Sequence, residues 1–172
     1  DTPHFEGALM DVIFPKAFAF DDHDARREMR ENNPVDDSFI DAVNNFSYET
    51  ASKLLTDNKN NINYSPVSMY YALALAATGA EGETRNEMLD ILGVGDTATL
   101  STQSRYLYNR LYRDNNIIKS RINNSLWLNK TENFNEGFVN NAASNFYTHV
   151  FNEDFSKAET SEKMSEWVAL NT

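Results

Sequence analysis

Residues 67–78 (VSMYYALALAAT) are apolar on nearly every side of a helical wheel. A helix without a polar face is expected in a protein's centre, with other elements wrapped around it. Ser65 and Pro66 supply its start, a hydroxyl for the cap and then a residue whose missing N–H is not needed in the first turn. Ala72, Ala74, Ala76 and Ala77 are small, so a neighbouring element can approach closely. Gly79 is expected to provide a left-handed stop.

Composition narrows what surrounds that helix. The chain has 172 residues, 41% hydrophobic and 12% aromatic, which is enough for one packed core. A formal net charge of -11 argues against gripping a nucleic-acid backbone, which needs clustered Lys and Arg. The acidic balance fits a solvated surface, or steering toward a basic partner. With no cysteine, disulfides, thiolate nucleophiles and cysteine metal sites are excluded. No apolar run approaches the roughly 20 residues of a membrane span. The opening stretch, DTPHFEGALMDVIF, lacks the basic region of a signal peptide.

Residues 1–37 read as an N-terminal extension. Its mixed-charge stretch, residues 21–31, predicts one short helix closed by Pro34. Phe5, Leu9, Ile13, Phe14, Phe18 and Phe20 make it too apolar for a free linker, so it is expected to dock. A helix begins near Ser38, whose spacing to Asp41 is that of a capping box. Phe39, Val43, Phe46, Thr50 and Leu54 form its apolar stripe, with Ile40 and Leu55 alongside. Residues 62–64 fit a short strand. Thr84 with Glu87 predicts a second capping box, Met88, Leu89 and Leu92 face inward, and Gly93 ends that helix. Leu100, Leu107 and Leu111 carry a helix over residues 97–112.

The period then changes. Ile118, Ser120, Ile122, Asn124, Leu126 and Leu128 alternate with Lys119, Arg121, Asn123 and Ser125, which predicts a long strand with one buried face. Trp127, on the opposite face, implies that something covers that face too. Phe138, Ala142 and Phe146 predict a helix over residues 135–146, and residues 148–151 a short strand. A last helix, from about Ser161, carries Met164, Trp167 and Val168.

Catalytic patterns do not account for these residues. His4, His23 and His149 have neither metal nor triad spacing. Asp21, Asp22, His23 and Asp24 form a dense acidic patch, but adjacent residues point in different directions and do not converge on a divalent ion. Asp57, Asn61 and Asn63 echo a calcium loop, yet Lys59 holds a ligand position and the turn glycine is missing. Ser65 and Ser68 would need a base to act as nucleophiles, and a helix cap explains them better. Gly79, Gly82, Gly93 and Gly95 flank a helix instead of forming a phosphate cradle. Asn45, Asn63, Asn123 and Asn129 each begin a glycosylation sequon, as chance allows in so Asn-rich a chain. No Asp or Glu pair at a defined spacing suggests a hydrolase.

In order, these pieces resemble the first half of a serpin. Asn61-Ile62-Asn63-Tyr64-Ser65-Pro66-Val67-Ser68 is similar to that family's Asn-(I/V)-x-(F/Y)-Ser-Pro-(L/V)-Ser motif, a strand running into the central helix. Residues 79–84 (GAEGET) resemble its G-A-x-G-x-T turn. Asn124-Ser125-Leu126-Trp127 resembles its N-x-L-(W/F) on a strand of the main sheet. Phe151 to Phe155, then Trp167 and Val168, resemble a short strand and the helix lying across that sheet.

The resemblance implies an α+β fold, with residues 38–172 as the N-terminal portion of a serpin domain, and no enzyme activity and no cofactor. It implies a mechanical inhibitor of serine or cysteine proteases, whose cut reactive loop inserts into the main sheet as a new strand and drags the acylated protease with it. Ser65 and Ser68 match the family's shutter, where the sheet parts. Asn61, Gly79 and Thr84 match positions that hold the central helix, and Trp167 one on the helix that the sheet passes beneath. Ser165 stands where the family usually has Asn. The family continues beyond Thr172 with Gly-Lys-Ile, more strands and the reactive loop, so this chain alone is not expected to inhibit. It is expected to leave an edge of the strand at residues 118–128 bare, for a copy of itself or a missing C-terminal half. A secreted, extracellular bacterial setting fits the extension and the lack of cysteine. The competing expectation is a non-inhibitory serpin-fold module that binds a protein partner.

Overall fold

The structure is a computed structural model that describes residues 8–10, 12, 14, 15, 22–56 and 61–171. In chain order its elements are β1 (Ala8–Met10), α1 (His23–Asn32), α2 (Asp37–Leu55), α3 (Pro66–Gly79), α4 (Gly82–Leu92), α5 (Thr97–Leu111), β2 (Arg113–Asp114), β3 (Lys119–Ser120), β4 (Asn124–Asn129), α6 (Glu136–Phe146), β5 (Thr148–Glu153) and α7 (Ala158–Asn171). They form two compact units, Pro15–Ile122 and Asp1–Phe14 with Asn123–Thr172.

In the first unit, α2, α4 and α5 pack against α3. Tyr70 and Tyr71 of α3 are wholly buried. The Tyr70 ring meets Phe39 and Phe46 of α2 edge-on at 5.8 and 5.3 Å. Its hydroxyl donates to the Leu92 carbonyl at the end of α4, 3.0 Å away. Tyr71 meets Tyr108 of α5 edge-on at 6.1 Å and donates to the Ser104 carbonyl at 2.6 Å. Each tyrosine therefore fills the core with its ring and satisfies a buried carbonyl with its tip. Gly93 closes α4 in the left-handed conformation, φ 69°. A Cβ there would lie 3.0 Å from the Ala42 Cβ, so glycine also lets the end of α4 sit against α2.

Several sequence expectations need correction. α3 is apolar all round but covered on one side only: Met69, Ala72, Ala76 and Gly79 form an exposed stripe, with Met69 44% accessible. Gly79 is not the left-handed stop. Ala80, at φ -81°, closes α3 by donating its N–H to the Ala76 and Ala77 carbonyls, and positive φ falls to Gly82. Asp36, not Ser38, is the N-cap of α2, and its side chain caps no helical N–H. Gln103 competes for it: Gln103 Nε2 donates to Asp36 Oδ2 at 3.0 Å, and Gln103 Oε1 accepts from the Asp36 N–H at 2.9 Å. Thr84 lies inside the first turn of α4, whose cap is Glu81, so the second capping box does not form either. The stripe of α2 fades after Phe46, leaving Leu54 and Leu55 about half exposed. Residues 62–64 join no strand; Tyr64 instead donates its hydroxyl to Thr50 Oγ1 at 2.7 Å.

The strand expected over residues 118–128 is broken in two. Its first part is the two-residue β3, turned back onto β2 by Asn115, whose Oδ1 accepts from the N–H groups of Ile117 and Ile118. The bond from Arg121 to Asp114, at 2.5 Å, closes the hairpin. Only Asn124–Asn129 enters the main sheet.

In the second unit the sheet order is β1-β5-β4. β4 and β5 are parallel, in register from Asn124↔Thr148 to Asn129↔Glu153, and α6 makes the crossover that parallel pairing requires. Asn135 caps α6 by accepting from the N–H groups of Gly137 and Phe138. Trp127 stacks at 4.2 Å on Phe151, its partner across the β4–β5 ladder, and stays half-buried. α7 starts at Ala158, three residues earlier than the sequence suggests, with the Thr160 hydroxyl bonded to the Asp154 carbonyl at 2.6 Å. The N-terminal stretch docks through β1, antiparallel to β5, while Phe5, Phe18 and Phe20 lie outside the described residues.

Candidate functional site

The start of α3 is built by the capping rule. The Ser65 Oγ accepts from the Ser68 N–H at 3.4 Å and lies 2.8 Å from the Ser68 Oγ. Pro66 occupies the first turn, where no N–H is required. Ser65 is exposed and Ser68 half-buried. The two hydroxyls hold each other, an arrangement that caps a helix and activates neither oxygen. Asn61 is exposed just ahead of them. Gly79 and exposed Thr84 lie at the other end of α3 and the start of α4, so the structure gathers Ser65, Pro66 and Ser68 but not these two.

Asn124 opens β4 opposite Thr148 of β5. Its Nδ2 is buried without a hydrogen-bond partner among the described residues. β4 pairs with β5 alone among the described strands, so its other edge is open. Trp167 of α7 is 6% accessible and meets the His149 ring edge-on at 5.9 Å. The Ser165 hydroxyl is bonded back to the Ser161 carbonyl at 2.9 Å. Asn123 Nδ2 reaches the Asn171 carbonyl at 3.1 Å, tying the end of α7 to the start of β4. Asp22, part of the acidic patch, caps α1 through the Ala25 N–H at 2.9 Å. Among the described residues no His, Cys, Asp and Glu group could hold a metal ion.

Sequence reasoning missed three features. Gln103 joins α5 to the start of α2. Glu153, 7% accessible, receives Lys163 of α7 at 2.7 Å and Lys130 at 3.8 Å. His149 is buried among Phe14, Phe151 and Trp167. A charged or titratable residue within an apolar strand is the signal that could have marked the last two.

Burial lowers the His149 pKa below its ordinary 6.5. The unfolded chain then binds a proton that the folded chain resists. The neutral ring's contribution to stability is complete above pH 6.5 and falls as pH drops through the folded value. Urea midpoints are expected to decrease between pH 7.5 and 5, and His149→Gln to flatten that dependence. Equal pH slopes for both proteins would contradict this.

Comparison with known proteins follows the same lines. The family model described as Serpin (serine protease inhibitor) matches residues 41–172. The chain belongs to the serpin family. It is 25% identical over 157 residues to the alpha-1-antiproteinase of Mus saxicola, covering 88% of this chain and 38% of that protein. Among solved structures it is similar to a loop C-sheet serpin polymer, with TM-score 0.70, 27% identity, and coverage of 78% of this chain and 36% of the other. It also shares the fold of human thyroxine-binding globulin in complex with thyroxine, with TM-score 0.61, 24% identity, and coverage of 86% and 38%. The α+β arrangement described above is thus the N-terminal portion of the serpin fold. The chain spans well under half the length of these serpins.

Proposed function

We propose that this chain is the N-terminal part of a serpin-type inhibitor of serine or cysteine proteases, which traps its target by inserting a cleaved reactive loop into the main sheet. The observation that carries this reading is the match of residues 41–172 to the Serpin (serine protease inhibitor) family, and β4 has an edge that no described strand pairs. A strand with unpaired backbone groups on one side accepts another strand. The buried Asn124 amide at its start has no acceptor among the described residues, and an added strand could supply one. The exposed stripe of α3 calls for similar cover, because small residues beside a methionine invite close packing.

In this reading residues 1–37 are an extension and residues 38–172 part of the serpin domain. Ser65, Pro66 and Ser68 form the shutter at the start of the central helix, with Asn61, Gly79 and Thr84 holding that helix. Asn124 stands on the second strand of the main sheet, and Trp167 on the helix that the sheet moves beneath. The parent protein is secreted and bacterial, a setting supported by the cysteine-free composition and the extension. A second reading, a non-inhibitory module that binds a partner, is favoured by the fold shared with thyroxine-binding globulin.

The test is incubation of the full-length protein with serine and cysteine proteases, followed by denaturing electrophoresis. Inhibition predicts a covalent complex of the protease with the cleaved serpin that survives denaturant. Cleavage without such a complex overturns inhibition and leaves the second reading. In this reading the 172 residues taken alone are expected not to inhibit, and to self-associate or to be found with a second polypeptide. Native and denaturing mass spectrometry of one sample checks this. A monomer whose β4 amides are fully protected would refute it.

A further inference from the structure

β5 has two edges. One pairs with β4 along its whole length, and the other meets β1, with Ala8↔Phe151 and Met10↔Val150 and an irregular step between them. A three-residue strand is too short to hold by its ladder alone. Two further residues anchor it. Val12 is 8% accessible, and the Phe14 ring stacks on Tyr147 at 6.1 Å, its plane tilted 19°, and lies 5.7 Å from His149. Tyr147 ends α6 at φ 50°, a left-handed residue directly ahead of β5. Tyr147 and His149 thus seat one aromatic ring beside the edge that receives the strand. All of this segment precedes residues 41–172, the part matched by the serpin family, so the family pattern does not supply it.

We propose that the outer edge of β5, with its Tyr147–His149 seat, is a strand-accepting site occupied in cis by β1 with Val12 and Phe14, which act as a removable edge guard. An uncovered β5 edge would be a template for a strand from a second copy of the protein. Tethering keeps the guard at an effective concentration of order millimolar, so a short strand and a single ring suffice to exclude free competitors. Loss of the tether, as by proteolysis ahead of α1, opens the edge. This edge lies across the sheet from the open edge of β4, so the inference rests on the fold and stands or falls apart from protease inhibition.

The experiment compares the full-length protein with one lacking residues 1–21, which keeps Asp22 to cap α1. Hydrogen exchange is read over residues 147–153, with α3 as internal reference. Truncation is expected to speed β5 exchange and leave α3 unchanged, and a synthetic peptide of residues 1–21 to restore protection. The same peptide carrying Phe14→Ala is expected to bind on the order of tenfold more weakly. Unchanged β5 exchange after truncation, or a peptide that restores nothing, overturns the proposal. Should the truncated protein fail to fold, Phe14→Ala in the intact protein decides. Faster exchange confined to β5 supports the guard, and wild-type exchange there refutes it.

Discussion

Replacing Tyr70 by alanine is expected to cost about 3–5 kcal/mol, a large share of the stability of a domain this size. Tyr70 has no accessible surface and its ring joins α2 to α3 through Phe39 and Phe46. The collapse needed to fill the hole would have to move one helix against the other, so most of the cavity stays open. Tyr70→Phe isolates the hydroxyl. It keeps the packing but strips the Leu92 carbonyl, at the end of α4, of its donor, at a cost of about 1–3 kcal/mol. Urea denaturation followed by helical circular dichroism separates the two variants. A Tyr70→Ala protein as stable as Tyr70→Phe would show that the ring is not a core element. Burial also pushes the Tyr70 phenol well above its ordinary 10.0. The unfolded chain therefore loses its proton first, and this part of the stability is complete below pH 10.0 and declines above it.

The helices were legible in the sequence wherever local chemistry decides them. Ser65 and Pro66 start α3, Gly93 stops α4 and Asn135 caps α6, each with the residue that backbone geometry demands. The reading failed where a distant partner outbids a local one. Asp36 ends up bonded to Gln103, 67 positions away, and no pattern near Ser38 could show that competition. The sequence alternates from Ile118 to Leu128, but Asn115 turns its first part into an exposed hairpin strand, and of the alternating residues Leu128 alone is buried. Period-two patterns specify which residues share a face and leave open how far a ladder runs.

Of the site, the cluster at Ser65, Pro66 and Ser68 could be read because a cap is a local device. Asn124 drew notice by its motif, while its solitary buried amide became visible only once β4 was seen to have one neighbour. The Phe14 seat was out of reach. Docking of the N-terminal stretch was expected from its apolar content, but composition does not say which of six candidate side chains finds Tyr147 and His149. Long-range ring contacts leave no periodic trace.

The last helix, α7, offers the second large effect. Among the described residues α7 buries only Thr160 and Trp167, so one indole near its C-terminal end carries most of its apolar grip. Polar ties hold its other parts: Thr160 to the Asp154 carbonyl, Lys163 to Glu153, and the Asn171 carbonyl to Asn123. Trp167→Ala is expected to remove about 3–5 kcal/mol of packing. Because β5 keeps its ladder with β4 and the Trp127–Phe151 stack, the loss should appear as local release of α7. Hydrogen exchange should quicken along residues 158–171 with the β4 and β5 amides still protected, while Trp167→Phe retains most of the protection. Uniform loss across the sheet would mean that the indole supports the strands themselves. No change at all would mean that the polar ties suffice.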